Sequence, residues 1–192
     1  MIALLFTLLV PALVKSKAKS NRIQCTSYLK QIGVSFRLFS TDNQDKYPMS
    51  YFTNSNAWPL NSAGTNFVAH YFQSMSNELV SPIILVCPSD KRKRAASFSN
   101  LTDENISYFL GLDADESIPE GLLVGDRNVT MDGKPVQPGI VRFNTTDQIG
   151  FSAIMHNRVG NVALGDGSVQ NLTAQRFQQQ IQRSTNRLAF PH

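Results

Sequence analysis

A chain of 192 residues with 42% apolar residues is large enough for one ordinary domain with its own core plus an appendage, which excludes a disordered polymer. Its net charge of +4 is lopsided, because six cations and no acid precede Asp42 and the remainder carries a net −2. The folded part therefore lacks the basic excess that nucleic-acid binding requires, and two cysteines are too few for a disulfide-built scaffold.

From Ile2 to Leu13 the chain is almost wholly apolar, and it continues without a glycine into a polar stretch and then an amphipathic one. Cys25, Leu29, Ile32, Phe36 and Phe39 recur in steps of four and three, which predicts one buried face of a helix. Between these parts, Lys15, Lys17, Lys19 and Arg22 stand among serines and asparagine and offer no stripe for a core, so they read as a solvated neck. Pro11 predicts a kink, and Asp42, Asn43, Asp45 and Pro48 predict the end of the helix. The apolar opening admits three readings: a cleaved secretory signal, a buried core helix, or part of a membrane anchor. The neck disfavours the core helix, and cations that follow the apolar run disfavour the signal. The division expected is an apolar anchor segment at 1–14, an amphipathic neck and spine at 15–47, and a globular head at 48–192.

In the head, Ser50 to Thr65 reads as irregular, with Trp58 plugging a loop. Phe67, Tyr71, Met75 and Leu79 predict a second helix ended by Pro82. His70 lies between its stripes and has no ligand-type neighbour at metal-binding spacing. Strands are predicted over Ile83–Val86, Ile106–Leu110, Gly121–Val124, Gly139–Phe143, Gln148–Met155 and Asn161–Leu164. Asp132-Gly133 and Asp166-Gly167 predict hairpin turns with positive φ at both central residues, and Thr173 caps a closing helix over Ala174–Gln182. The basic run Lys91 to Arg94 reads as a solvated loop. Cys25 and Cys87 are either a disulfide in an exported head or two buried free thiols.

Several ordered motifs resemble one family. Pro11-Ala12-Leu13, Ser16-Lys17-Ala18-Lys19, Arg22-Ile23-Gln24-Cys25 and Leu29-Lys30-Gln31-Ile32-Gly33 are similar to the N-terminal helix of bacterial prepilin-like proteins. The likeness is to type II secretion pseudopilins that carry an H-X9-DG element, here His156 and Asp166-Gly167; Cys87-Pro88-Ser89-Asp90 and Gly125-Asp126-Arg127-Asn128 look like further landmarks. The resemblance implies an α+β, pilin-like fold, with a long N-terminal helix packed on an antiparallel sheet and one additional short helix. It also implies a non-enzymatic subunit of a secretion or pilus-like assembly, anchored once in the inner membrane with its head on the periplasmic or extracellular side. Its partners would be the membrane and other pseudopilins. The alternative is a secreted binding protein with a cleaved N-terminal signal. The family's Gly-Phe-Thr-Leu and following glutamate are not matched here, so by this resemblance either the true start lies upstream of Met1 or the chain is not processed by a prepilin peptidase.

No cofactor or metal ligand is assigned. The family's calcium loop suggests Asp113, Asp115 and Glu116 as oxygen donors, but the triplet departs from the EF-hand pattern and reads as an ordinary acidic loop. A catalytic pair of His156 and Asp166 is disfavoured: pairing Gln148–Met155 with Asn161–Gly165 places them five residues apart on a ladder, about 17 Å.

Overall fold

The computed structural model describes residues 2–53, 67–144, 146–183 and 187–192, with side chains from Leu13 onward. Helix α1 runs unbroken from Ile2 to Asp42, across Pro11, a length of about 60 Å at 1.5 Å per residue. The stripe Cys25, Leu29, Ile32 and Phe36 is fully buried and Phe39 nearly so, whereas every residue from Leu13 to Ser20 is exposed. The same helix is thus a core element at one end and a projecting rod at the other. It stops at the expected turn, where Gln44 and Asp45 take positive φ.

Pro48 does not simply break structure: it opens a short helix α2 (Pro48–Thr53), at the first turn where its missing N–H costs nothing. Trp58 lies outside the described residues. The second predicted helix is split into α3 (Phe67–Ser74) and α4 (Ser76–Leu79), ending at Val80 with φ +62°. His70 is exposed and its Nδ1 lies 3.0 Å from Gln73 Oε1.

The strand expected at Ile83–Val86 is instead a 3-10 turn, Pro82–Leu85. Pro82 starts the turn and the Ser81 hydroxyl accepts from Ile83 N, local chemistry that outweighs the β-branched run. Then follow β1 (Tyr108–Gly111), β2 (Leu122–Asp126), β3 (Val129–Met131), β4 (Lys134–Pro135), β5 (Gly139–Arg142), β6 (Ile149–Phe151), β7 (Val159–Leu164), β8 (Val169–Thr173), α5 (Ala174–Arg183) and β9 (Arg187–Phe190).

The strands form an antiparallel six-stranded sheet, ordered β5-β9-β1-β2-β7-β8, and a three-stranded one, β4-β3-β6. In β1 and β7 the side chains alternate between two cores. Tyr108, Leu110 and Ala163 join α1, α3 and α4 on one face, and Phe109, Val162 and Leu164 meet Phe151, Phe177 and Phe190 on the other. With both faces of the middle of the large sheet covered, β1, β2 and β7 are buried almost throughout and read as mainly apolar runs, whereas β5 and β8 at its edges are largely exposed.

Both hairpin turns form. At Asp132-Gly133 both residues take positive φ, 51° and 76°, as expected. At Asp166-Gly167 only Gly167 does (80°), so the turn is of another kind. Gly167 N donates to Leu164 O and Leu164 N to Ser168 O, both at 2.9 Å, which makes a three-residue loop closed by a glycine bulge.

Strand β9 was not foreseen, and the pairing proposed for Gln148–Met155 is wrong. The strand there is only Ile149–Phe151 and pairs with β3, while β7 pairs with β2 and β8. Asn157 and Arg158, at φ 52° and 64°, turn the chain sharply between β6 and β7, so the two do not form the proposed ladder.

Candidate functional site

Four residues from separate landmark motifs meet at one place, while Asp166-Gly167 does not join them. Cys25 comes from the buried face of α1, Cys87 follows the 3-10 turn, Asp126 ends β2, and His156 precedes the turn into β7. All four are buried, and one donor atom from each lies within 4.8 Å of all the others. Among the described residues this is the only convergence of three or more such donors. Cys87 Sγ is 3.3 Å from His156 Nε2, Cys25 Sγ is 3.3 Å from Asp126 Oδ1, and His156 Nε2 is 3.5 Å from Asp126 Oδ2.

Each member is held by further contacts. Asn161 donates to Asp126 Oδ2 from both its backbone N (2.7 Å) and its Nδ2 (2.9 Å), and Asn171 Nδ2 donates to Asn161 Oδ1 at 3.0 Å. Ser89 N donates to Cys87 Sγ at 3.5 Å, and the Tyr108 hydroxyl lies 3.5 Å from Cys25 Sγ. A second tie flanks the cluster: Arg127 Nε and Nη2 grip the Asp90 carboxylate at 2.7 and 2.9 Å. The Cys-Pro-Ser-Asp and Gly-Asp-Arg-Asn landmarks are therefore joined twice, once by charge and once through the buried cluster. Pro88 contributes a turn and a carbonyl that accepts from Asn21 at 3.5 Å. Gly125 is required by space, since a Cβ there would stand 2.6 Å from the Phe109 ring.

Burial and mutual proximity perturb all four groups. Burial pushes the Asp126 carboxyl up to about 7, against the opposing influence of His156. Burial and then Cys87 drive the Cys25 thiol far above its ordinary value. Cys25 beside it, and then His156, hold the Cys87 thiol down to about 5 despite burial. Burial lowers the His156 imidazole, but Cys87 and Asp126 outweigh it and raise the group overall.

This arrangement is not a nucleophile relay. In such a relay the histidine presents one nitrogen to the nucleophile and the other to the carboxylate. Here Nε2 faces both Cys87 and Asp126, so the groups converge on a point. Both cysteines are free and buried in the structure, not bridged. The sequence offers Cys25 and Cys87 as a possible disulfide and Asp126 and His156 as separate landmarks, with no metal ligand among them, because 61 residues and a change of element lie between Cys25 and Cys87 and no linear spacing joins them to the other two. A cleft of about 310 Å³ lined in part by Lys19, Arg22, Ser89, His156 and Asn157 reaches the cluster from its His156 side.

His156 and Asp166 lie apart, though not through the proposed hairpin. Asp166 is exposed at the β7–β8 turn, where its carbonyl accepts from Arg37 Nη1 at 3.2 Å. Arg37 lies twelve residues beyond Cys25 on α1, roughly 18 Å along the helix axis. Gly167 is required at that turn by its positive φ. The three acids considered for calcium do not converge either. Asp113 pairs with Arg187, Asp115 Oδ1 accepts from Ser117 N and Oγ, and Glu116 accepts from Ser40 Oγ at 2.7 Å. In the basic run, Arg92 departs from expectation: it is half-buried, and its guanidinium donates to the carbonyls of Asp103, Ile106 and Pro191. Comparison with family models, with curated proteins and with solved structures finds no match for this chain.

Proposed function

We infer that the chain works by assembly and not by turnover, as a membrane-anchored, pseudopilin-like subunit of a type II secretion or pilus-like filament. The observation that carries this reading is α1 itself, packed into the head from Cys25 onward and exposed at every residue from Leu13 to Ser20. Its outer face adds support. Ile23, Val34 and Leu38 are 63%, 55% and 52% exposed and fall within a stripe about 60° wide at 100° per residue. An apolar stripe left open on a rod suits lateral packing against the rods of neighbouring subunits.

Among the described residues no helix is long and apolar enough to cross a membrane. The anchoring part of the reading is carried by the apolar run from Ile2 to Leu13 and the basic collar behind it, which suits anionic headgroups.

Fractionation of cells expressing the full chain, with a photo-crosslinking residue at Leu38, tests both parts. The expectation is recovery with membranes, release by detergent but not by salt, and crosslinks to other pilin-like subunits. A soluble monomer without crosslinks contradicts the reading, and a mature chain beginning near Lys15 selects the secreted binding protein instead.

A further inference from the structure

We propose that Cys25, Cys87, Asp126 and His156 are the four ligands of a tetrahedral structural zinc ion that clamps α1 to the head. The inference goes beyond the assembly reading and stands whether or not the chain belongs to a filament.

The spacing of the donors fits. Zinc bonds of about 2.0 Å to nitrogen or oxygen and about 2.3 Å to sulfur require tetrahedral edges of about 3.3 to 3.8 Å. Cys87 Sγ to His156 Nε2 and Cys25 Sγ to Asp126 Oδ1 are both 3.3 Å, His156 Nε2 is 3.5 Å from the other carboxylate oxygen, Oδ2, and one donor atom of each residue lies within 4.8 Å of all the others, so a small contraction closes the set on one ion. The donor types fit as well: two sulfurs, an imidazole and a carboxylate suit a borderline-soft ion, whereas calcium takes six to eight hard oxygens. Four protein ligands with every donor residue buried leave no open coordination position, which marks a structural ion and not a catalytic one.

A disulfide is the competing chemistry, and the other two residues decide against it. A Cys25–Cys87 bridge is neutral and uses two of the four groups, leaving Asp126 and His156 as a buried pair that takes no part in the bond. A zinc ion uses all four and offsets the charge of both thiolates and the carboxylate. The surrounding shell is also the one a metal centre requires, since Asn161 orients Asp126, Ser89 N points at Cys87 Sγ, and Tyr108 lies against Cys25.

The test uses the full chain purified in mild detergent with a thiol reductant and no chelator, analysed for metals by mass spectrometry. The expected result is one equivalent of zinc. Cobalt(II) added to the chelator-treated chain should give sulfur-to-cobalt charge transfer and the intense ligand-field bands of a tetrahedral site, and zinc should abolish both. Chelation should lower the thermal midpoint by about 10 °C or more. Asn161→Ala, which leaves every ligand in place, should weaken zinc binding about 10- to 100-fold. His156→Ala should lose the ion. Should that variant not fold, His156→Cys keeps four donors and should retain zinc with an added thiolate band. The proposal is overturned by a folded wild-type chain that takes up neither zinc nor cobalt. It is equally overturned by zinc retained in the Cys25→Ser, Cys87→Ser double variant, or by protein from cells whose intact mass is lighter by the two hydrogens of a disulfide.

Discussion

At the scale of single residues, the Asp90–Arg127 pair is the strongest charged tie beside the cluster. The Asp90 side chain is 1% exposed and that of Arg127 28%, so truncating the cation strands a buried carboxylate. Arg127→Ala is expected to cost about 3 kcal/mol in urea unfolding. Burial pushes the Asp90 carboxyl up, but the Arg127 guanidinium outweighs it and holds the group below the ordinary carboxylate range. A lowered folded value means that the unfolded chain binds the proton more readily. The pair's stabilisation is thus complete above about pH 4 and fades as the pH falls through the lowered value. Asp90→Asn should therefore flatten the acid limb of stability against pH, and an unchanged limb would remove Asp90 from the account. Gly125 makes a steric prediction: Gly125→Ala drives a methyl into the Phe109 ring and should cost about 1 to 3 kcal/mol. Combining it with Phe109→Ala should be strongly non-additive in a double-mutant cycle, because the second change removes the obstacle.

At the scale of elements, α1 has two faces with opposite duties. Phe36 is fully buried, with edge-on contacts to Tyr47 and Phe72 at centroid separations of 5.7 and 6.2 Å. Phe36→Ala is expected to destabilise the head by about 3 to 5 kcal/mol. Leu38, two residues on and half-exposed, should tolerate alanine within about 0.5 kcal/mol yet weaken crosslinking to neighbours from a photo-crosslinking residue placed at Val34. Equal stability losses at the two positions would contradict the division of faces. The hairpins show how far local chemistry reaches. Asp132-Gly133 takes the turn its dipeptide favours, whereas Asp166-Gly167 lies where Gly165 N donates to Gly121 O and the Tyr47 hydroxyl to Gly165 O. Those longer contacts select a bulged three-residue loop over the two-residue turn.

At the scale of the whole molecule, the head and the projecting rod should be separable. Residues 13–20 are exposed throughout, while the helix is buried on its inner face from Cys25 onward. Removal of residues 1–20 should leave the head with a thermal midpoint within about 3 °C of the full chain, since exposed residues contribute little to stability. The same truncation should abolish membrane association. A head that unfolds on losing the rod would show that the exposed segment contributes to the core after all.

What the sequence determined by itself was the periodic and the local: the α1 stripe, the neck, the closing helix behind Thr173, and both turn sites. Each depends on neighbours within a few residues, which a linear pattern records. Tertiary structure decided the rest. Val129–Met131 and Ile149–Phe151 pair only because the sharp turn at Asn157-Arg158 sends β7 to a different sheet, and no local preference encodes that choice. β9 is a strand because β1 and β5 offer edges on either side of it. The cluster is the clearest case: nothing in the spacing of Cys25, Cys87, Asp126 and His156 along the chain signals one shared four-residue site. They become one site because a helix, a 3-10 turn, a strand end and a loop are packed against one another, and only packing brings distant donors within bonding range of a single ion.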